Sequence, residues 1–416
     1  MKLQRILLRY FPPGLILEYS SHGMIKNKPI DLLSLSPSTD VEALAVQIIA
    51  KQPLLSEHRF PHVVAAIKKL QMKLLEDHPS QYSLHKVLRG HLLSLTNCAF
   101  CKNGDMFVTG AYDRTAKIWD TVTGETKHTL EGHDNVVYCV DFNYPYSNIV
   151  ATGSFDRTAK LWDTATGECR QTLTGHTGEV VCVAFSPDSS CLVTGSMDSL
   201  AFVHDTKMGV GTALRGHEAE VITVKYSQDS RSVLTASFDS TARLWDSRTY
   251  QETHLFAGHS AEVTAADLSF DGRQVATSSA DGTVRLWDIR TDDCIQEITA
   301  HTKEVLDVQY SADGSMVSSA SEDGTACIFN TLTGREISTL RGHTKGVSRA
   351  RFSPQGKTCV TASEDNTARL WDITSGAELQ VLEGHLDEVF SVQFNYTGDA
   401  LITASKDNTC RIWLAV

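Results

Sequence analysis

Long apolar runs are absent from this chain of 416 residues. No stretch approaches the roughly 18 apolar residues of a membrane-crossing helix, so none is expected. Met1–Arg5 leads into a short strand-like run broken by Pro12-Pro13, so no secretory signal peptide is expected. A phosphate-cradling loop of Walker type, a dinucleotide fingerprint and a His-Glu-x-x-His pair are also missing, which removes the usual signs of nucleotide, nicotinamide or zinc chemistry. The 10 cysteines include one Cys-x-x-Cys, Cys98 to Cys101, with no second pair to complete a metal site. Others, such as Cys139, Cys182, Cys327 and Cys410, fall at strand positions and read as small buried hydrophobes of a reduced, intracellular protein. No catalytic residue, metal or cofactor is expected. Basic surface is scarce as well. Residues 1–88 hold 11 Lys/Arg against 7 Asp/Glu, a net of +4, and the net of −12 for the whole chain leaves −16 for the rest. An acidic body of that size argues against nucleic acid as a ligand, because phosphate neutralisation needs cations.

What the chain has in abundance is a repeat. A Gly-His pair returns at Gly90-His91, Gly132-His133, Gly175-His176, Gly216-His217, Gly258-His259, the variant Ala300-His301, Gly342-His343 and Gly384-His385. The steps are 42, 43, 41, 42, 42, 42 and 42 residues. Some 22 residues after each His comes an Asp, and six residues later an aromatic, usually in Trp-Asp. All 6 Trp of the chain fall on that one repeat position. Each unit reads as four short β-rich runs between turn residues, for example Val137–Phe142, Ile149–Gly153, Ala159–Trp162 and Cys169–Leu173. One such sheet cannot cover its own apolar faces, whereas eight stacked radially can.

The pattern resembles the WD40 family, which implies an all-β fold: an eight-bladed β-propeller over residues 81–416, preceded by a small α+β domain over residues 1–80. The last repeat stops after three strands, at Ile412-Trp413, while Leu84–Leu88 lies where the outer strand of a preceding blade belongs. Leu84–Leu88 is therefore expected to complete the last blade and close the ring, leaving no open edge there.

The recurring His is read as structural. In the WD40 family the imidazole, a Ser or Thr two residues before the turn Asp, the Asp and the Trp form a buried hydrogen-bonded network. Five units carry all four: His133/Ser154/Asp156/Trp162, His217/Ser237/Asp239/Trp245, His259/Ser279/Asp281/Trp287, His343/Ser363/Asp365/Trp371 and His385/Ser405/Asp407/Trp413. Three depart. The first has Ala111 for the Ser, the third has His204 for the Trp, and the sixth has Ala300 and Phe329, so the third and sixth blades are expected to be more weakly clamped or modified for function.

Two further positions repeat in the same units. Three residues after the His, five units place Glu179, Glu220, Glu262, Glu304 and Glu388. The residue before the turn Asp reads Tyr112, Phe155, Met197 and Phe238 in the first four units. An acidic rim beside an aromatic arc on one face suits a protein-binding surface. The alternative is that Glu is merely the usual residue at this turn.

The first 80 residues break the repeat. Ile6–Tyr10 and Leu15–Tyr19 flank Phe11-Pro-Pro-Gly14 and read as a β-hairpin, with Met24–Ile30 as a third strand. Ser36–Asp40 offers caps for a helix over Val41–Lys51. A second helix over Pro61–Leu75 carries an apolar stripe of Val63, Val64, Ile67, Leu70, Met72 and Leu74-Leu75, expected to seat this unit on the propeller. Leu7–Gly14, Leu17–Tyr19, Ile30–Leu33 and Ser36–Asp40 together resemble the N-terminal domain of the dynein assembly factor group of WD-repeat proteins. That resemblance implies a monomeric, non-catalytic adaptor of cytoplasm, ciliary base and cilium or flagellum. Its partners would be outer-arm dynein and an intraflagellar transport complex subunit, with no nucleic acid or membrane. One partner would use a cleft beside the basic unit and the other the rim. The competing readings are a scaffold or substrate-recognition subunit of another complex, and an enzyme built on a propeller.

Overall fold

The computed structural model describes residues 2–10, 12–21, 24–32, 35–36, 39–75 and 81–416. Phe11 of the expected turn, Leu33, and Pro37 and Ser38 of the expected cap lie outside them. The chain divides into two compact units, residues 1–78 and 79–416.

In the first unit, β1 (Lys2–Arg9), β2 (Gly14–Ser21) and β3 (Met24–Asp31) form an antiparallel sheet in that order. Two helices follow, α1 (Val41–Lys51) and α2 (Phe60–Leu75). The Asp40 carboxylate caps α1 by accepting from the N–H groups of Glu42 and Ala43 at 3.0 and 3.2 Å. Leu15 and Leu17, two residues apart and so on one face of β2, pack with Val41, Ala45 and Ile48 of α1 and with Val63, Ile67 and Leu70 of α2. The helix stripe is thereby corrected. Its buried members are consumed by the core of their own unit, and Met72 is exposed.

The second unit consists of eight antiparallel sheets of four strands. The first blade contains β5 (Leu95–Phe100), β6 (Met106–Ala111), β7 (Ala116–Asp120) and β8 (Thr126–Leu130), paired in chain order. Second strands such as Thr358–Ser363 and Ala400–Ser405 are buried along their whole length, whereas β8 buries only Leu130. Small Ala, Ser and Thr residues suit the former because both faces of each sheet meet a neighbouring blade.

The core therefore lies between blades. Val108, Ile118 and Leu130 of the first blade pack with Val140, Phe142 and Trp162 of the second. The last gap is filled in the same way, by Ile402, Cys410 and Ile412 against Phe100, Phe107 and Trp119 of the first blade. The strand β4 (Tyr82–Leu88) completes the last blade: Cys410 pairs with Leu88, Ile412 with Lys86 and Ala415 with Tyr82. Tyr82 anchors it, with its hydroxyl donating to the Gly398 carbonyl at 2.6 Å and its backbone exchanging two 2.7 Å bonds with the Gln380 amide of the seventh blade.

A chain truncated to begin at residue 90 loses β4 and the buried Tyr82 ring, leaving an unpaired strand edge. It should melt well below a chain beginning at residue 81, and should aggregate. Equal melting temperatures by circular dichroism would contradict closure through β4.

Candidate functional site

Each Gly-His pair sits just after an outer strand, where the chain turns inward to the next blade. In the second blade, His133 Nδ1 lies 2.7 Å from Asp156 Oδ2 and His133 Nε2 lies 2.7 Å from Thr152 Oγ1. Trp162 Nε1 lies 2.8 Å from the same hydroxyl oxygen. An indole N–H can only donate, so Thr152 accepts from it and gives its own proton to His133 Nε2. Nδ1 then carries the ring proton and donates it to the carboxylate. Five further blades repeat this relay of Trp, Thr, His and Asp. There Trp119, Trp245, Trp287, Trp371 and Trp413 donate to Thr109, Thr235, Thr277, Thr361 and Thr403 at 2.8, 2.9, 2.9, 2.8 and 3.0 Å. Each of those Thr in turn meets the His of its own blade. Both nitrogens of these buried imidazoles are engaged.

Burial works against ionisation of these aspartates, but the bonds they accept prevail. Asp156 accepts from His133, from the Thr158 hydroxyl at 2.7 Å and from the Asp134 N–H at 3.1 Å, which hold it well below the usual carboxylate range. The equivalent set at Asp281 holds that carboxyl near 2, with Thr283 and His259 leading against the cost of burial. At His259 and His385 burial lowers the imidazole pKa against the pull of Asp281 and Asp407, favouring the neutral ring of those two residues.

The expected four-residue network is corrected in its Ser member. Ser154, Ser237, Ser279, Ser363 and Ser405 do not belong to the relay, so Trp162, Trp245, Trp287, Trp371 and Trp413 reach their His through the Thr instead. The Ser hydroxyls accept from the N–H of the turn Asp at 3.0–3.1 Å and donate to a carbonyl at the start of the blade. They latch the turn, while the Thr two residues earlier carries the proton chain. The signal was present in the sequence as a Thr four residues before each turn Asp, replaced by Ser319 in the sixth unit.

The indoles have a second task that their place in the repeat does not reveal. Each is buried in the seam with the preceding blade, where it is framework and out of a partner's reach. Trp287 of the fifth blade packs on Leu234, Leu244 and Phe256 of the fourth, with the Phe256 ring centroid 5.6 Å away. Trp371 of the seventh blade packs on Ala320, Ile328 and Leu340 of the sixth. One side chain thus fastens a turn and fills a seam.

The departures change the clamps less than their number suggests. The first blade lacks only the turn latch and keeps its relay from Trp119 through Thr109 to His91 and Asp113. In the sixth, His301 still bonds Ser319 at 2.7 Å and Asp323 at 3.1 Å, and only the indole donor is gone. Its Ala300 fits that loss. A Cβ on Gly216 would lie 3.1 Å from the Trp245 ring edge, and Phe329 reaches less far than an indole. In the third blade two residues share the work of the Trp. Phe202 packs edge-on against His176 with centroids 4.7 Å apart, and His204 Nε2 lies 3.3 Å from Thr194 Oγ1. His204 Nδ1 is buried without a partner, and burial, helped by His176, lowers the pKa of the ring to about 4.

The two outward-facing repeat positions are neighbours in every blade. The N–H of the residue before the turn Asp donates to the carbonyl three residues after the His: Met197 to Glu179 and Phe238 to Glu220 at 3.0 Å, Ala280 to Glu262 at 2.9 Å, Glu322 to Glu304 at 3.0 Å, and Lys406 to Glu388 at 2.9 Å. Tyr112 and Phe155 donate in the same way to Ser94 and Val136. The Glu ring and the aromatic arc therefore share one face. Tyr112, Met197 and Phe238 are 45, 44 and 41 % exposed, whereas Phe155 is half-buried because Tyr138 stacks on it with centroids 5.1 Å apart. Tyr138 was not singled out from the sequence. Its place on an inner strand, one residue past the turn, gave no sign of exposure.

Among the described residues, no group of three or more His, Cys, Asp or Glu is arranged to hold a metal ion. Cys98 and Cys101 are buried thiols, and burial pushes Cys101 up to about 11.

The family model for the WD domain, G-beta repeat matches residues 82–120, 124–163, 167–205, 210–246, 250–288, 292–330, 334–372 and 376–413. The chain belongs to the WD40 repeat family. Each matched WD40 repeat starts at, or one or two residues before, the outer strand of the preceding blade, an offset that makes closure by β4 part of the repeat itself. The crystal structure of the computationally designed Ika8 protein superposes with a TM-score of 0.70 at 32 % identity, covering 79 % of this chain and 98 % of that one. A stretch of 148 residues is 53 % identical to the Dynein assembly factor with WD repeat domains 1 of Xenopus laevis and to that of Homo sapiens, and 151 residues are 49 % identical to that of Danio rerio. Each alignment spans 36 % of this chain and 36 % of the relative, about a third of either.

Thr235→Val removes the hydroxyl that serves both Trp245 and His217, and should cost roughly 1–3 kcal/mol in chemical denaturation. Ser237→Ala should cost less, since Ala111 fills that position in the first blade with the relay intact. The opposite order would return the Ser to the centre of the network.

His204 gives a pH signature. Its folded pKa near 4 lies below the unfolded value of about 6.5, so its neutral form favours the native state fully above pH 6.5, and that contribution is lost as pH falls towards 4. His204→Phe, a residue that the sixth blade already accommodates here, should gain roughly 2–4 kcal/mol on wild type across that window. Parallel stability profiles for the two proteins would contradict this account.

Proposed function

We propose that the chain is a non-catalytic adaptor in axonemal dynein assembly, linking preassembled outer-arm dynein to the intraflagellar transport machinery for import into cilia or flagella. The observation that carries this reading is the stretch of 148 residues at 53 % identity to proteins named for dynein assembly. The N-terminal segments that resemble the same group support it, as does a site whose repeated polar residues are occupied with one another rather than aimed at a substrate. A 34 % match to Eukaryotic translation initiation factor 3 subunit I of Danio rerio covers 65 residues, less than two repeats, and carries only the fold.

An adaptor between two large assemblies needs two separable surfaces. This chain offers two of different chemistry: a basic α+β unit, and an acidic ring whose rim carries Glu in five blades and, in its first four blades, an apolar arc with Tyr112 and Phe238 exposed. We assign one partner to each. The working sites would be the cytoplasm and the ciliary base.

The test is affinity isolation of the tagged chain from ciliated cells, with quantitative mass spectrometry for outer-arm dynein and transport-complex subunits. Both should be recovered. Lys substituted together at Glu179, Glu220, Glu262, Glu304 and Glu388 should weaken one partner, most at low ionic strength where rim charges govern association. Deletion of residues 1–80 should remove the other and spare the first. Recovery of both partners by both variants would contradict the assignment, and recovery of neither by wild type would contradict the function.

A further inference from the structure

On the rim face, the mouth of the central channel holds a cavity of about 470 Å³, within the roughly 300–1,000 Å³ range of ligand pockets. Four blades build it: Ser94 and Tyr112 from the first, Tyr138 from the second, Arg349 from the seventh, and Phe390 and Lys406 from the eighth. Its walls are aromatic and its two charges are cationic, although the propeller as a whole is acidic.

The state of Arg349 sets this pocket apart. Its neighbour Arg351 forms an ion pair with Asp307, with Nη2 3.3 Å from Oδ1 and Nη1 closer still to Oδ2. That engages the acid nearest to both arginines. Arg349 keeps one weak bond, Nη1 to Ser391 Oγ at 3.4 Å, and no carboxylate among the described residues lies within 4 Å of it. Arg349 thus lines the pocket with a guanidinium that can donate five N–H bonds and has a single hydrogen-bond partner. Burial, with Arg351 second, depresses the guanidinium pKa, and the pull of Asp307 offsets this only in part. Lys406 is partly neutralised by Glu388 at 3.3 Å, so it guides rather than anchors.

We infer that this pocket binds a protein partner through one carboxylate side chain, Asp or Glu, seated on Arg349, with an adjacent aromatic or aliphatic side chain held by Tyr112, Tyr138 and Phe390. A planar guanidinium takes a carboxylate through two parallel hydrogen bonds, and three aromatic rings shield that pair from water. Glu179, Glu220, Glu262 and Glu304 of the third to sixth blades carry acidic charge on the rest of the same face, which disfavours further acids, so the bound segment is neutral or basic outside its one anchor. This rests on the rim face being a partner surface, but not on the partner being dynein.

Selection from a randomised heptapeptide display library against the full-length chain tests it. The enriched peptides should carry Asp or Glu next to Phe, Tyr, Leu or Met. In fluorescence anisotropy, Arg349→Gln should weaken the best of them at least tenfold, and Arg349→Lys less. Replacing the peptide acid by its amide should cost as much as Arg349→Gln does. Circular dichroism melting checks that the variants fold. Lys406→Gln and Tyr112→Ala, both at exposed side chains, serve if Arg349→Gln does not, each with a threefold or greater loss. Three results would overturn the proposal: no enrichment, enriched peptides without an acid, or equal binding by wild type and variants. A phosphoserine analogue binding tenfold tighter than the carboxylate peptide would overturn it in favour of a phosphorylated ligand. Absence of dynein from cell isolates alongside Arg349-dependent peptide binding would sink the function proposed above and leave this pocket standing.

Discussion

Mutual burial of neighbouring sheets is the constraint on which the molecule depends. A blade with apolar residues on both faces has no stable existence alone, because each face must be covered by the next blade. The ring therefore has to close, and β4 with Tyr82 supplies the closure from the other end of the propeller sequence. Once closed, the ring holds eight equivalent turns at fixed spacing on one face. The acidic rim and the Arg349 pocket both use that fixed array.

The Trp, Thr, His and Asp relay is how each turn is held in place. Its direction follows from one chemical fact, that an indole nitrogen donates and cannot accept. The blades that depart from it show what is dispensable. Loss of the turn Ser leaves the first blade's relay whole, and the loss of the indole from the sixth is matched by Ala300 in place of Gly. The third blade divides one aromatic's two functions between Phe202 and His204, and leaves a ring nitrogen unpaired as the cost.

The fold was legible in the sequence to the level of single strands, because the turn residues mark the phase of every blade and the strands fill the intervals between them. The site was legible only in part. The shared Thr escaped notice because Thr is an ordinary strand residue, while the Ser beside the Asp looked the better candidate by proximity in sequence. Trp287 and Trp371 were legible as members of a network, but the seams they fill depend on Phe256 and Leu340 of the blades before them. Arg349 gave no signal, since its significance depends on Tyr112 and Tyr138, more than 200 residues away, and on Asp307 being already taken. The stripe on α2 was legible as a stripe, but a stripe does not say what covers it. Here it is β2 and α1 of its own unit.

The claim on which the account turns is that the face bearing the eight turns is where a protein partner binds. Hydrogen–deuterium exchange of the full-length chain, with and without the purified partner that the five-Lys rim variant loses, reads this directly at peptide resolution. The account predicts new protection around residues 92–96, 110–114, 136–140 and 386–390, with the outer strands of the same blades unchanged. Protection confined to outer strands such as Thr126–Leu130 and Cys169–Leu173, with those turns exchanging as before, would contradict it.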